Sequence, residues 1–78
     1  MEKSDIEILE TDVGGQKIKD LSALAFIGFI SRKIDGQISS PAIRELSMLV
    51  SAPPLTGRLS DDSKIDMCRK LERVGIEV

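Results

Sequence analysis

Histidine, tryptophan and tyrosine are absent from this sequence, and cysteine occurs once. Without histidine the usual general base near neutral pH is missing, so a Ser or Cys nucleophile would depend on an unusual partner such as Lys. One thiol with no imidazole cannot assemble the common zinc sites or an internal disulfide. The lack of Trp and Tyr removes most of the surface on which bases and sugars stack. Ile, Leu, Val, Ala, Met and two phenylalanines are left to build a core. Long apolar runs are missing too: LSALAFIGFI, residues 21–30, is roughly half of the ~20 residues that span a bilayer. The opening MEKSDIEILE is acidic where an export signal is basic and then apolar. These absences point to a cytoplasmic, non-catalytic protein with no cofactor, no metal, no membrane span and no small-molecule substrate.

What is present is one small domain of 78 residues, a size at which a limited fraction of surface is buried and a second subunit would add stability. Net charge is −2, unevenly placed: Glu2, Asp5, Glu7, Glu10 and Asp12 stand against Lys3 alone in the first twelve residues. Residues 1–16 read as an acidic extended arm or strand, because Ile6 and Ile8 alternate with acids before Gly14 and Gly15 turn the chain. Residues 17–78 read as a helical domain. The fold class is mainly α: a three-helix domain with that short N-terminal arm and room for a C-terminal strand over 76–78, beside residues 6–9.

The first expected helix runs from about Lys17 or Leu21 to Lys33, with Asp20 as N-cap or first-turn carboxylate and Asp35-Gly36 as the stop. Ser40 caps the second, with Pro41 at the first helical position. Ala42, Ile43, Leu46, Leu49 and Val50 then share a face, and the helix ends by about Ser51 ahead of Pro53 and Pro54. The third starts at Ser60 with Asp61 and Asp62 in its first turn. It carries Lys64, Arg69, Lys70 and Arg73 towards its end, shows an apolar seam of Ile65, Cys68, Leu71 and Val74, and closes at Gly75. Cys68 on that seam reads as a small buried side chain. Asp61, Asp62 and Asp66 lack the spacing of a calcium loop.

MCRKLERVGIEV, residues 67–78, resembles the passage in which a winged-helix recognition helix runs through Gly into the wing strand. That resemblance implies a DNA-associated transcription regulator with Arg58, Arg69, Lys70 and Arg73 against phosphates. SAPPLTGRL departs from the short turn of such a motif, and Asp61, Asp62 and Asp66 would repel the backbone at the end of the helix that enters the groove. DGQISSPAIREL resembles the helix, Gly turn and second helix of short acidic stress and biofilm regulators of bacteria, a pattern too generic to carry a family.

The stronger functional signal is the apolar run itself. At roughly 100° per residue, Ala23, Phe26, Ile27, Ile30 and Ile34 fall on one side, and Leu21, Leu24, Ala25, Gly28 and Phe29 on the other. A helix apolar all round is normally buried all round, and two further amphipathic helices cannot cover both sides. Gly28 costs the helix about 1 kcal/mol relative to Ala, a cost that close approach of another helix would offset. Leu21, Leu24, Ala25, Gly28 and Phe29 are therefore the expected partner interface. A homodimer is the commonest way to supply it, in a small regulator, adaptor or inhibitor that works through protein–protein contacts.

Overall fold

The computed structural model describes residues 3–35, 41–51 and 57–78. Within them the chain is mainly α-helical, with helices α1 (Asp5–Leu9), α2 (Ala23–Ile34), α3 (Pro41–Ser51) and α4 (Asp61–Arg73). A two-stranded antiparallel ribbon, β1 (Asp12–Val13) and β2 (Gln16–Lys17), and a 3₁₀ turn, Ile18–Asp20, lie between α1 and α2. α2 packs on α3, α4 packs on both, and α1 sits against α4 and the 3₁₀ turn. The core they enclose includes Ile8, Ile18, Leu21, Phe26, Ile30, Ile43, Leu46, Cys68 and Leu71. No helix of the described residues is long and apolar enough to cross a membrane.

The N-terminal segment departs from the sequence reading. Instead of an extended arm or strand over residues 6–9, Asp5–Leu9 form a helix. The reason is a capping box: the Glu7 amide donates to Ser4 Oγ at 3.2 Å, and the Ser4 amide donates to Glu7 Oε1 at 3.0 Å. Two of the orphan amides at a helix start are thereby satisfied reciprocally. Only Ile8 of this helix is fully buried, and Ile6 points to solvent.

Gly14 and Gly15 do turn the chain. They form the two-residue loop of the β1–β2 hairpin, with φ of +60° and +90°, and pair Val13 with Gln16 and Asp12 with Lys17. Two successive positive φ values match a type I′ turn, which suits the twist of the strands and which a side chain with a Cβ adopts reluctantly.

The start of α2 also differs. Asp20 ends the 3₁₀ turn and Leu21 is extended, so the cap is Ser22, whose Oγ accepts from the Ala25 amide at 3.2 Å. α3 begins at Pro41 and ends at Ser51 as the proline pattern indicates. The expected Ser40 cap, the Gly36 stop and the Pro53-Pro54 spacer lie outside the described residues. α4 starts as expected, with Ser60 accepting from the Ser63 amide at 3.1 Å. It closes at Gly75 (φ +82°) by a Schellman motif: the Gly75 amide donates to the Glu72 carbonyl and the Ile76 amide to the Leu71 carbonyl. Ile76 to Val78 form no strand.

The buried face of α4 keeps Cys68 and Leu71 of the expected seam but is shifted round the helix from it. Lys64, Met67, Cys68 and Leu71 are buried, while Ile65 and Val74 lie at its edge. Lys64 points inward, from the first turn of the helix. Its Nζ donates to the carbonyls of Ile18 at 2.9 Å, Lys19 at 3.2 Å and Leu21 at 2.8 Å, and lies 6.0 Å from the Phe26 ring centroid. The ammonium closes the carbonyl end of the 3₁₀ turn, the end at which positive charge is favourable. Burial pushes its pKa below the ordinary lysine value, with Asp61 opposing that shift, Arg58 adding to it and Asp20 opposing it. No buried side-chain nitrogen or oxygen among the described residues lacks a partner.

Replacing Lys64 by Met, which fills similar volume without donors, leaves the Lys19 and Leu21 carbonyls without the ammonium. Unfolding in urea is expected to show a loss of about 3 kcal/mol with the helical signal of the native state retained.

Candidate interaction surface

The expected inner face of α2 is realised, since Ala23, Phe26, Ile27, Ile30 and Ile34 are all buried. The second face divides. Leu21 and Phe29 are buried within the single chain, at 3% and 6% exposure, whereas Leu24 is 52% exposed, Ala25 is exposed and Gly28 is half-buried.

Leu21 leaves this face because it precedes the Ser22 cap. Its extended backbone turns its side chain into the core while its carbonyl accepts from Lys64. A helical projection does not apply to a residue outside the helix. Phe29 is enclosed by its own surroundings: its ring lies 6.0 Å from that of Phe26, tilted by 42°, and Lys33 Nζ stands 5.7 Å from its centroid. Lys33 also donates to the Glu77 carbonyl at 2.8 Å, which draws the C-terminal tail to this side of α2. Ile76 and Val78 of that tail pack against the core.

What remains outward is a stripe of Leu24, Ala25 and Gly28, followed one turn later by Arg32. Among the described residues, a Cβ built on Gly28 meets only Arg32 Nη1, at 3.8 Å. Ile6 of α1, 73% exposed, and Met48 of α3, 72% exposed, are the other large apolar side chains open to solvent among the described residues. The sequence reading placed neither at the surface. For Ile6 the overlooked signal is Ser4-Asp5-Ile6-Glu7, the S-x-x-E spacing of a capping box.

The four basic residues of the nucleic-acid reading have separate fates. Arg58 and Arg73 are exposed. Arg69 is drawn into the structure: Nη2 bonds Asp5 Oδ1 at 2.7 Å, and Nη1 bonds Glu72 Oε1 at 2.7 Å and the Lys3 carbonyl. Glu72 in turn accepts from the Lys3 amide at 3.1 Å. Burial pushes the Glu72 carboxyl upward, but the Lys3 amide and the Arg69 guanidinium outweigh it and hold its pKa below the usual value. Lys70 Nζ lies 3.2 Å from Asp66 and 3.6 Å from Glu45, which links α4 to α3. Arg69 and Lys70 are thus engaged with carboxylates of their own chain.

Among the described residues no group of three or more His, Cys, Asp or Glu side chains is placed to hold a metal ion. Asp61 and Asp62 are exposed in the first turn of α4, where carboxylates suit the helix dipole. Cys68 is fully buried, and its thiol is pushed up to about 12, first by burial and then by the neighbouring Glu72 carboxylate. It is held as the neutral thiol, a small apolar side chain in the core.

The chain matches no protein-family model, no curated protein and no solved structure.

The Cys68 thiol gives a pH dependence of defined sign. Its folded pKa of about 12 lies above the ordinary value of 9.0, so between the two the unfolded chain has released a proton that the native chain retains. Its contribution to stability is complete below pH 9 and is lost as pH rises through the folded value. In urea titrations across this window, wild-type stability should fall relative to Cys68→Ala. Parallel pH profiles would show that the thiol does not titrate this way.

Proposed function

We propose that this protein is a non-catalytic interaction module that self-associates through the outward face of α2, as a small regulator, adaptor or inhibitor of a larger assembly. The observation that carries this reading is the stripe of Leu24, Ala25 and Gly28: a half-exposed leucine beside two small residues, with the Arg32 guanidinium the sole neighbour within reach of a Cβ at the glycine among the described residues. The face is narrower than the sequence suggests, because Leu21 and Phe29 belong to the core. A narrow surface of small side chains suits close helix crossing better than broad apolar contact, and a two-fold axis near Gly28 would present the same stripe from each copy. Ala25 and Gly28 would then lie where the backbones approach, with Leu24 and the aliphatic stem of Arg32 at the margins.

Two substitutions separate a role in association from a role in folding. The space at Gly28 admits a methyl group within one chain, so Gly28→Ala is expected to raise the stability of dilute protein by about 1 kcal/mol through helix propensity. The same change should weaken self-association, measured by multi-angle light scattering at high micromolar concentration. Leu24→Lys is expected to abolish self-association with little change in the urea midpoint. A wild-type protein that remains monomeric at these concentrations, or a dimer indifferent to both changes, overturns the reading.

A further inference from the structure

We propose that residues 3–10 form a detachable cover on α4, one that opens as a unit while α2, α3 and the rest of α4 stay folded, and so uncovers the α4 face between Cys68 and Glu72. This goes beyond the α2 reading and does not depend on it.

The attachment is made of few parts. α1 has five residues, far fewer than the ~12–15 at which a helix begins to hold itself in water. Its capping box is internal and does not fasten it to anything. Its apolar anchors are Ile8, fully buried, and Leu9, partly buried, since Ile6 faces solvent. Most of its polar fastenings run to α4 and the tail: Arg69 holds the Lys3 carbonyl and Asp5, Glu72 holds the Lys3 amide, and Lys3 Nζ donates to the Val78 carbonyl at 2.7 Å as well as to Thr11 Oγ1 at 3.1 Å. Asp5 is well exposed, and the pairs from Glu10 to Lys17 and Lys19 are exposed on both sides, so water and salt compete for them.

The joint is equally well defined. The Ile18 amide donates to the Thr11 carbonyl at 3.0 Å, which ties the hairpin down from Thr11 onward. The segment before it leaves by giving up the bonds of Thr11 to the Ile8 and Glu7 carbonyls, the Glu10 pair with Lys17 of β2 and the contact of α1 with the 3₁₀ turn. The packing of α2 on α3 does not pass through α1. Small sets of contacts at the edge of a domain open at lower free energy than the domain unfolds. Cys68 reports on this opening, because it precedes Arg69 and lies one turn before Glu72. Its thiol feels the charges of Glu72, Arg69 and Lys3, which belong to the attachment, and also that of Lys33 on α2.

The test is the rate at which an alkylating reagent labels Cys68 in the full-length chain, followed by mass spectrometry with hydrogen exchange at the α1 amides. Arg69→Gln is expected to speed labelling by about tenfold or more, with exchange in residues 5–10 rising in step. Leu46→Ala, which weakens the α3 side of the core, is expected to lower global stability and leave the labelling rate unchanged. Ile43→Val replaces it if that variant does not fold. Low urea should leave the wild-type rate nearly flat. Labelling that accelerates with Leu46→Ala or Ile43→Val as global stability falls, or that ignores Arg69→Gln, would show that Cys68 is reached only by global unfolding and overturn the proposal.

Discussion

The Lys64 ammonium, buried and shared among the carbonyls of Ile18, Lys19 and Leu21, is the constraint on which the rest of the arrangement depends. A buried ammonium is tolerable only when its donors are matched, and the matching carbonyls must come from a tight turn whose oxygens converge. The 3₁₀ turn supplies them. Holding that turn in place seats Ile18 and Leu21 in the core, leaves Ser22 free to cap α2, and fixes where α2 begins relative to α4. One side chain from the last helix thereby sets the entry of the first long one.

The same logic separates the charges of this protein into two groups. Arg69, Glu72, Lys33, Lys64 and Lys3 are occupied by backbone carbonyls, amides or each other, and they join segments distant in sequence. Arg58, Arg73 and the first-turn aspartates of α4 stay exposed. A chain with so few aromatic residues relies on such polar ties to complete packing that its apolar side chains begin. α2 shows the consequence on its second face: Phe29 is closed over within the chain with the help of Lys33, whereas Leu24 stays 52% exposed.

Much of this was legible in the sequence, and what was not has physical causes. Pro41 at the start of α3, Ser60 and Gly75 at the ends of α4, the Gly14-Gly15 turn and the inner face of α2 follow from local rules of capping, conformation and periodicity. A helical projection puts Leu21 and Phe29 on an outer face because it assumes an unbroken helix and ignores the tail that returns to it. The sequence groups Lys64 with the basic residues towards the end of α4 and gives no sign of its burial, because its partners lie more than forty residues away. The alternation of Ile6 and Ile8 points to an extended arm or strand and masks the stronger helix signal of Ser4 and Glu7. Of the five residues expected at an interface, Leu24 and Ala25 are exposed and Gly28 is half-buried.

The joining of Lys3 to Glu72 and Val78 spans 69 and 75 residues of chain. Contacts of such sequence separation require closure of the longest loops, whereas α2 and α3 are neighbours along the chain and meet at small loop cost. The order of assembly follows. A nucleus of α2 and α3 can form while both ends of the chain are still free, and the ties of Lys3 and Asp5 form only once α4 has presented Arg69 and Glu72. Substitutions at Lys3, Asp5 or Arg69 therefore belong to the class that leaves the folding rate nearly unchanged and hastens unfolding.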